Sequence, residues 1–129
     1  MAVSISLASF ISADFVGLFQ FYSTTFDLPE VEALRSDIFR GADVGGLTLG
    51  FSAPVVYQML HIDEWANATG TTQYLTFELP SDEEVTAATD RAISNGARLL
   101  HEPYETYYNA WQSVLADPDD NVFRINHFR

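Results

Sequence analysis

The chain has 129 residues, enough for one domain and too few for two independent ones. It is 47% hydrophobic and 14% aromatic, which supplies a packed core and argues against disorder. Eighteen acidic residues stand against six basic ones, a formal net charge of −12, so a phosphate backbone would be repelled and no nucleic-acid partner is expected. Cysteine is absent, which removes disulfides, thiol nucleophiles and zinc–thiolate sites. No apolar run is long enough to span a membrane, and the fairly apolar first thirteen residues lack a basic leader, so no membrane association and a cytoplasmic setting are expected.

Residues 3–11 alternate as a first strand, with Val3, Ile5 and Leu7 on one face. Asp14 is placed to cap a helix whose apolar stripe is Phe15, Leu18, Phe19, Tyr22 and Phe26, and Pro29 ends it near Phe26-Asp27. Three short strands are expected over 31–35, 38–41 and 47–52, separated by Ser36-Asp37 and Gly45-Gly46 turns. Residues 53–70 read as a strand end or short helix and then a connecting loop that includes Trp65-Ala66-Asn67-Ala68-Thr69-Gly70.

The pattern then restarts. Residues 73–79 alternate, with Tyr74, Thr76 and Glu78 on one face and Leu75, Phe77 and Leu79 on the other. Ser81 and Glu84 have capping-box spacing, Val85, Ala88, Ala92 and Gly96 recur along a helix, and Asn95-Gly96 stops it. Strands are expected over 98–102, 110–115 and 122–128. The last two flank the turn Asp117-Pro118-Asp119-Asp120-Asn121, where proline presets one φ and the Asp/Asn side chains bond back to the backbone. Strand, helix and three strands therefore occur twice, in pattern more than in identity.

Three features carry a resemblance that covers nearly the whole chain. They are the Asp117–Asn121 turn, with Asp120 where a glycine is usual; Asp14 followed by the helix bearing Phe21-Tyr22; and Phe77-Glu78-Leu79 followed by a helix and Asn95-Gly96-Ala97. In that order and spacing they resemble the vicinal oxygen chelate superfamily of glyoxalases, bleomycin-resistance proteins and extradiol dioxygenases. The resemblance implies an α+β fold. Two βαβββ modules, about 1–60 and 71–129 of a single domain 1–129, would form a curved mixed sheet around a ligand cavity with helices outside. It also implies a homodimer.

Metal-using members place ligands on inward-facing strand positions. The resemblance maps these onto Leu7, Tyr74 and Arg124. Leucine and tyrosine are weak or impossible ligands, and a guanidinium is a fixed cation that would repel a metal. No metal or other cofactor is therefore expected. The alternative is a divalent transition metal relocated to His61, His101 or His127 with nearby carboxylates, although no HExxH or close histidine pair occurs.

The remaining polar positions suggest a ligand site. The resemblance implies that Tyr74, Glu78, Arg124 and Asn126 face the cavity, with Arg124 able to grip a carboxylate or to pair with Glu78 as a purely structural contact. Trp111, in the aromatic run with Tyr104, Tyr107 and Tyr108, is a candidate ligand contact, as is Phe51, although Phe39 and Phe51 equally suit cavity wall or core; Trp65 could close a cavity mouth. The expected function is a metal-free, small-molecule-binding protein of the bleomycin-resistance type that sequesters an aromatic or charged ligand. The alternative is an enzyme, a lyase, isomerase or dioxygenase relative, with Glu78 as base, Tyr74 nearby and Arg124 steadying an enolate. A regulatory subunit using its aromatic patch as an interface is a third possibility.

Overall fold

A computed structural model describes residues 2–66, 70–71 and 73–129. It divides into two compact units, Met1–Thr69 and Gly70–Arg129. Each packs a helix on one face of a small mixed sheet, the α+β arrangement anticipated from the repeated pattern.

In the first unit, strand β1 is Leu7–Ile11, helix α1 is Phe15–Phe26, and strands β2 and β3 are Phe39–Val44 and Leu47–Ser52. The sheet order is β1-β3-β2, with β1 parallel and β2 antiparallel to β3. Asp14 caps α1 by accepting a hydrogen bond from Gly17 N at 3.0 Å, and Asp27 ends it in the left-handed region at φ 53°. The first strand is shorter than expected: residues 2–6 precede it, and Val3 and Ile5 are exposed.

Residues 31–35 are not a strand. Glu32–Leu34 form one 3-10 turn, and the pairing expected there is reduced to single bridges from Glu30 to Ala42 and from Ser36 to Phe39. Arg35 folds back on Glu30 with a forked pair of hydrogen bonds at 2.6 and 2.8 Å, which suits a tight turn and not an extended chain. The first module thus keeps the βαβββ chain order with its second strand vestigial.

An aromatic cluster fills the space between α1 and this sheet. Phe51 and Tyr22 are fully buried; Phe10 stacks on both at 5.6 and 5.3 Å, and Phe19 meets Phe51 edge-on at 5.8 Å. On the other face, Phe39 lies over Gly50, where a Cβ would come within 2.9 Å of its ring and 2.6 Å of Ser9 Oγ. The ambiguous segment after β3 contains helix α2, Val55–Met59, and a 3-10 turn, Asp63–Trp65. Trp65 is exposed, and residues 67–69 of the expected loop lie outside the described residues.

In the second unit, strand β4 is Leu75–Glu78, helix α3 is Asp82–Ser94, and strands β5, β6 and β7 are Arg98–Glu105, Ala110–Ala116 and Val122–Phe128. The order is β4-β7-β6-β5, with β4 parallel to β7 and the other pairs antiparallel. Ser81 caps α3 through Glu84 N, and Gly96, at φ 105°, turns the chain out of it. Alanines at 88 and 92 let α3 lie close to the sheet, and Thr89 Oγ1 reaches Ser113 Oγ at 2.7 Å.

Strand β5 runs past the expected stop at Glu102, through Pro103 to Glu105. It is an edge strand with register shifts between Leu99 and His101 and between His101 and Tyr104, the context in which a strand tolerates a residue without an N–H. No helix among the described residues is long and apolar enough to cross a membrane.

Phe51→Ala removes the ring at the centre of the first core. A loss of about 3–5 kcal/mol is expected, read as a lower urea midpoint with an unchanged slope. A loss under 1 kcal/mol would show that the cluster does not hold this unit together.

Candidate functional site

The faces of the second sheet follow from one contact. Ser113 meets Thr89 of α3, so its cross-strand partner Ile125 also faces the helix, together with Leu115, Phe123 and Phe77. Alternation puts Gln112, Val114, Arg124, Asn126, Thr76 and Glu78 on the face turned away from α3. Thr76 pairs with Arg124 and Val114 with Arg124; Glu78 pairs with Asn126 and Gln112 with Asn126. Two polar rows therefore cross the sheet.

The first row centres on Arg124. Its Nε donates to Thr76 Oγ1 at 2.9 Å, one terminal nitrogen donates to the Tyr108 hydroxyl at 3.3 Å, and the guanidinium carbon lies 4.9 Å from the centre of the Tyr74 ring. The four ion pairs among the described residues involve Arg35, Arg98 and Arg129, and none involves Arg124. Its other terminal nitrogen has no partner among the described residues.

The second row runs from Glu78 through Asn126 to Gln112. Asn126 Nδ2 donates to Glu78 at 2.8 Å, and Phe128 N donates to the other carboxylate oxygen at 2.7 Å. The carboxylate dictates which way the Asn126 amide points, which leaves Asn126 Oδ1 buried and without a partner among the described residues. Tyr108 donates to Gln112 Oε1 at 2.7 Å, and Gln112 Nε2 donates to the Tyr104 hydroxyl at 3.1 Å.

The structure thus brings together Tyr74, Arg124, Asn126 and Glu78 on one face of one sheet. Arg124 and Glu78 do not pair; each has other partners. Two further expected contacts are Trp111 and Phe51. Trp111 points to the helix side, donating from Nε1 to Thr86 Oγ1 at 3.1 Å, because its position in β6 is odd relative to Gln112. Phe51 is a fully buried core residue of the first unit. Thr76, Tyr104, Tyr108 and Gln112 join the site. Gln112 was legible from alternation once the Asp117–Asn121 turn fixed the register of β6, whereas Tyr104 was hidden by ending β5 before Pro103.

The metal positions implied by the resemblance carry a leucine, a phenol and a guanidinium, and two of these three, Tyr74 and Arg124, are in cation–π contact. This donor set does not fit a metal ion. Of the histidines, His101 Nδ1 contacts Glu102 O and His127 Nδ1 contacts Leu79 O on the helix side. Among the described residues no three His, Cys, Asp or Glu side chains gather.

On the helix side, Arg129 grips Asp82 at 2.6 and 3.3 Å, reaches Glu105, and lies 5.7 Å from the centre of the Trp111 ring. The Arg129 hydrogen bond holds the Asp82 carboxyl below its ordinary pKa and raises that of the guanidinium. A depressed carboxyl pKa stabilises the fold above the unfolded value and ceases to do so as pH falls through the folded one. Arg129→Gln should therefore lower the thermal midpoint at pH 7, with the difference closing below about pH 4 as Asp82 is protonated. A difference that persists at pH 2 would assign the contact to packing on Trp111 instead.

Residues 7–126 match the glyoxalase-like domain family. The chain is similar to a glyoxalase/bleomycin resistance protein/dioxygenase family enzyme from Burkholderia phytofirmans PsJN, with 37% identity, 98% of this chain and 100% of that one covered, and a TM-score of 0.96. It shares its fold with a lactoylglutathione lyase from Agrobacterium tumefaciens (16% identity, 98% and 94% covered, TM-score 0.74). The fosfomycin resistance protein FosX from Listeria monocytogenes gives a similar match (18% identity, 100% and 96% covered, TM-score 0.74). Among curated proteins none matches.

Proposed function

The chain belongs to the glyoxalase-like family of the vicinal oxygen chelate superfamily, and from that premise we propose that it is a metal-free binder of a small aromatic acid. The ligand would be held on the face of the second sheet turned away from α3. The observation that carries this reading is Arg124. In a chain with three acidic residues for every basic one, this partly buried guanidinium has hydroxyl and aromatic neighbours but no carboxylate partner among the described residues. A guanidinium held in place with a nitrogen to spare is a receptor for a planar oxyanion. The Tyr74 and Tyr108 rings beside it suit an aromatic body on the ligand.

This reading resolves two competing clues. The net charge of −12 favours a cationic ligand only as a long-range field, whereas Arg124 acts at contact distance, where direct hydrogen bonds outweigh screened surface charge. Sequestration in the manner of a resistance protein, a homodimeric state and a cytoplasmic location belong to the same proposal. The Burkholderia relative, described as a family enzyme, favours a second reading in which Glu78 and Arg124 act on a bound acid. On that reading Glu78→Gln and Arg124→Ala abolish turnover of an identified substrate.

Binding is tested by thermal shift and calorimetry with substituted benzoates, with the matching benzamides as neutral controls. The benzoates should raise the midpoint by mass action and the benzamides should not. Arg124→Gln should weaken benzoate binding about 10- to 100-fold, the loss of a charge-assisted hydrogen bond worth roughly 1.5–3 kcal/mol. Equal responses to acids and amides would overturn the reading. Nickel, zinc, manganese or iron(II) should leave the midpoint of metal-stripped protein unchanged. Stoichiometric uptake of any of them would show that the donor positions are mapped wrongly.

A further inference from the structure

Tyr104 ends a chain of hydrogen bonds that begins at Arg124, and the direction of that chain fixes what Tyr104 can do. Arginine has donors and no acceptor. The Tyr108 oxygen therefore accepts from Arg124 on that side, at 3.3 Å, and its single proton is free to go to Gln112 Oε1 at 2.7 Å. Gln112 then presents Nε2 to the Tyr104 oxygen at 3.1 Å. The distances agree with these assignments, because 2.7 Å is the usual length of an O–H···O bond and 3.1 Å suits N–H···O. Turning the Gln112 amide over would put two N–H donors on Tyr108 and break the head-to-tail order in which successive bonds polarise one another.

With the amide as placed, the Tyr104 oxygen is an acceptor inside the chain. Its own proton has no partner among the described residues. Gln112 is 3% exposed, so the amide is held in a packed setting, while Tyr104 is half-buried and its ring lies against His101 at 4.3 Å. Tyr104, Gln112 and Arg124 share one sheet face; Tyr104 lies two strands from β7 and two residues out of register with Arg124, about 12 Å along the diagonal.

We propose that Tyr104 is a specificity-determining residue: its outward O–H donates to a carbonyl or similar oxygen acceptor on the far end of the ligand whose acid group binds Arg124, with Gln112 and Tyr108 as the positioning residues. This rests on the reading of Arg124 as an anion site and narrows the ligand to an aromatic acid that carries an acceptor about one ring away from its acid group.

Two measurements separate the proposal from the reading beneath it. The first needs no ligand. In protein labelled at the tyrosine ring, the Tyr108 hydroxyl proton should be protected from exchange with water and show a contact to Gln112, and the Tyr104 proton should exchange fast. Arg124→Gln, which removes the fixed donor, should abolish that distinction. A protected Tyr104 proton with an exchanging Tyr108 proton reverses the relay and overturns the proposal whatever binds.

The second compares 4-acetylbenzoate with 4-isopropylbenzoate, which have similar shape and differ in the acceptor. Wild type should prefer the acetyl compound about tenfold. Tyr104→Phe should lose that preference while still binding the isopropyl compound as wild type does. Gln112→Glu should also lose it, because a carboxylate accepts from both phenols and draws the Tyr104 proton inward. Equal affinity of wild type for the two acids sinks the role of Tyr104 and leaves the anion site standing. If neither acid binds at any concentration tested, the anion site falls, and the assignment of Tyr104 to its ligand falls with it.

Discussion

The carboxylate of Asp117 sets the register on which the site depends. It is buried to 2% exposure and accepts from Asp119 N at 2.8 Å, Asn121 N at 2.9 Å and the Asn121 side-chain amide at 2.9 and 3.2 Å. Those bonds close the turn between β6 and β7 and fix Ala116 opposite Val122. From that pairing everything along the hairpin follows with period two. A slip of one residue would send Arg124 and Asn126 under α3 and bring Phe123 and Ile125 out to the other face, exchanging a polar surface for an apolar one. The donors that the turn supplies compensate for the burial of this carboxyl group.

The same hairpin explains which parts of the structure could be read from the sequence. Pro118 and the flanking Asp/Asn side chains mark the turn, and alternation from it places Arg124, Asn126 and Gln112 on one face. Residues 73–79 join them because Thr76 and Glu78 alternate with Phe77, which packs on Phe123 at 6.0 Å. Both long helices were legible from their caps. What failed to be legible was decided by tertiary partners. Residues 31–35 have enough apolar character for a strand, but the Arg35–Glu30 fork and the hydrogen bond from Val31 N to Gly41 O make a turn there. Pro103 looks like a strand terminator until β5 is known to be an edge. Trp111 was assigned by its chemistry, and its direction is set by parity with Ser113, which a sequence shows only after the helix face has been identified.

Chain-wide charge and local charge pull in different directions here. Most of the acidic surplus is on exposed positions, where water and salt weaken its influence within about one Debye length, roughly 8–10 Å. Three arginines find carboxylates in spite of their scarcity: Arg35 with Glu30, Arg98 with Asp120, and Arg129 with Asp82 and Glu105. Arg40 bonds backbone carbonyls of Ser36 and Phe39 instead, and Arg124 differs again. Its neighbours are a threonine hydroxyl, a phenol and an aromatic face, while the nearest carboxylate along its strand pair, Glu78, is taken up by Asn126 and the Phe128 amide. Asn126 leaves its own carbonyl oxygen unsatisfied in doing so. A buried acceptor left without a partner costs about 1–3 kcal/mol.

The guanidinium at position 124 has a direct consequence for the hydrogen bonds on this face. A carboxylate at position 124 would be an acceptor, a metal ligand and a base. A guanidinium is none of these; it can only donate, and it does so at every pH at which the protein folds. Its presence imposes a single direction on each hydrogen bond that touches it. Tyr108 must accept, Gln112 is presented with a phenol that gives, and the far end of the chain is left with a proton to offer. The face therefore offers donors at two places, at Arg124 and at Tyr104, on strands two places removed and two residues out of register, about 12 Å apart along the diagonal. On the proposed reading, the acceptors of a ligand would meet these two donors, and the spacing of the donors, more than the shared fold, would set which molecule is bound.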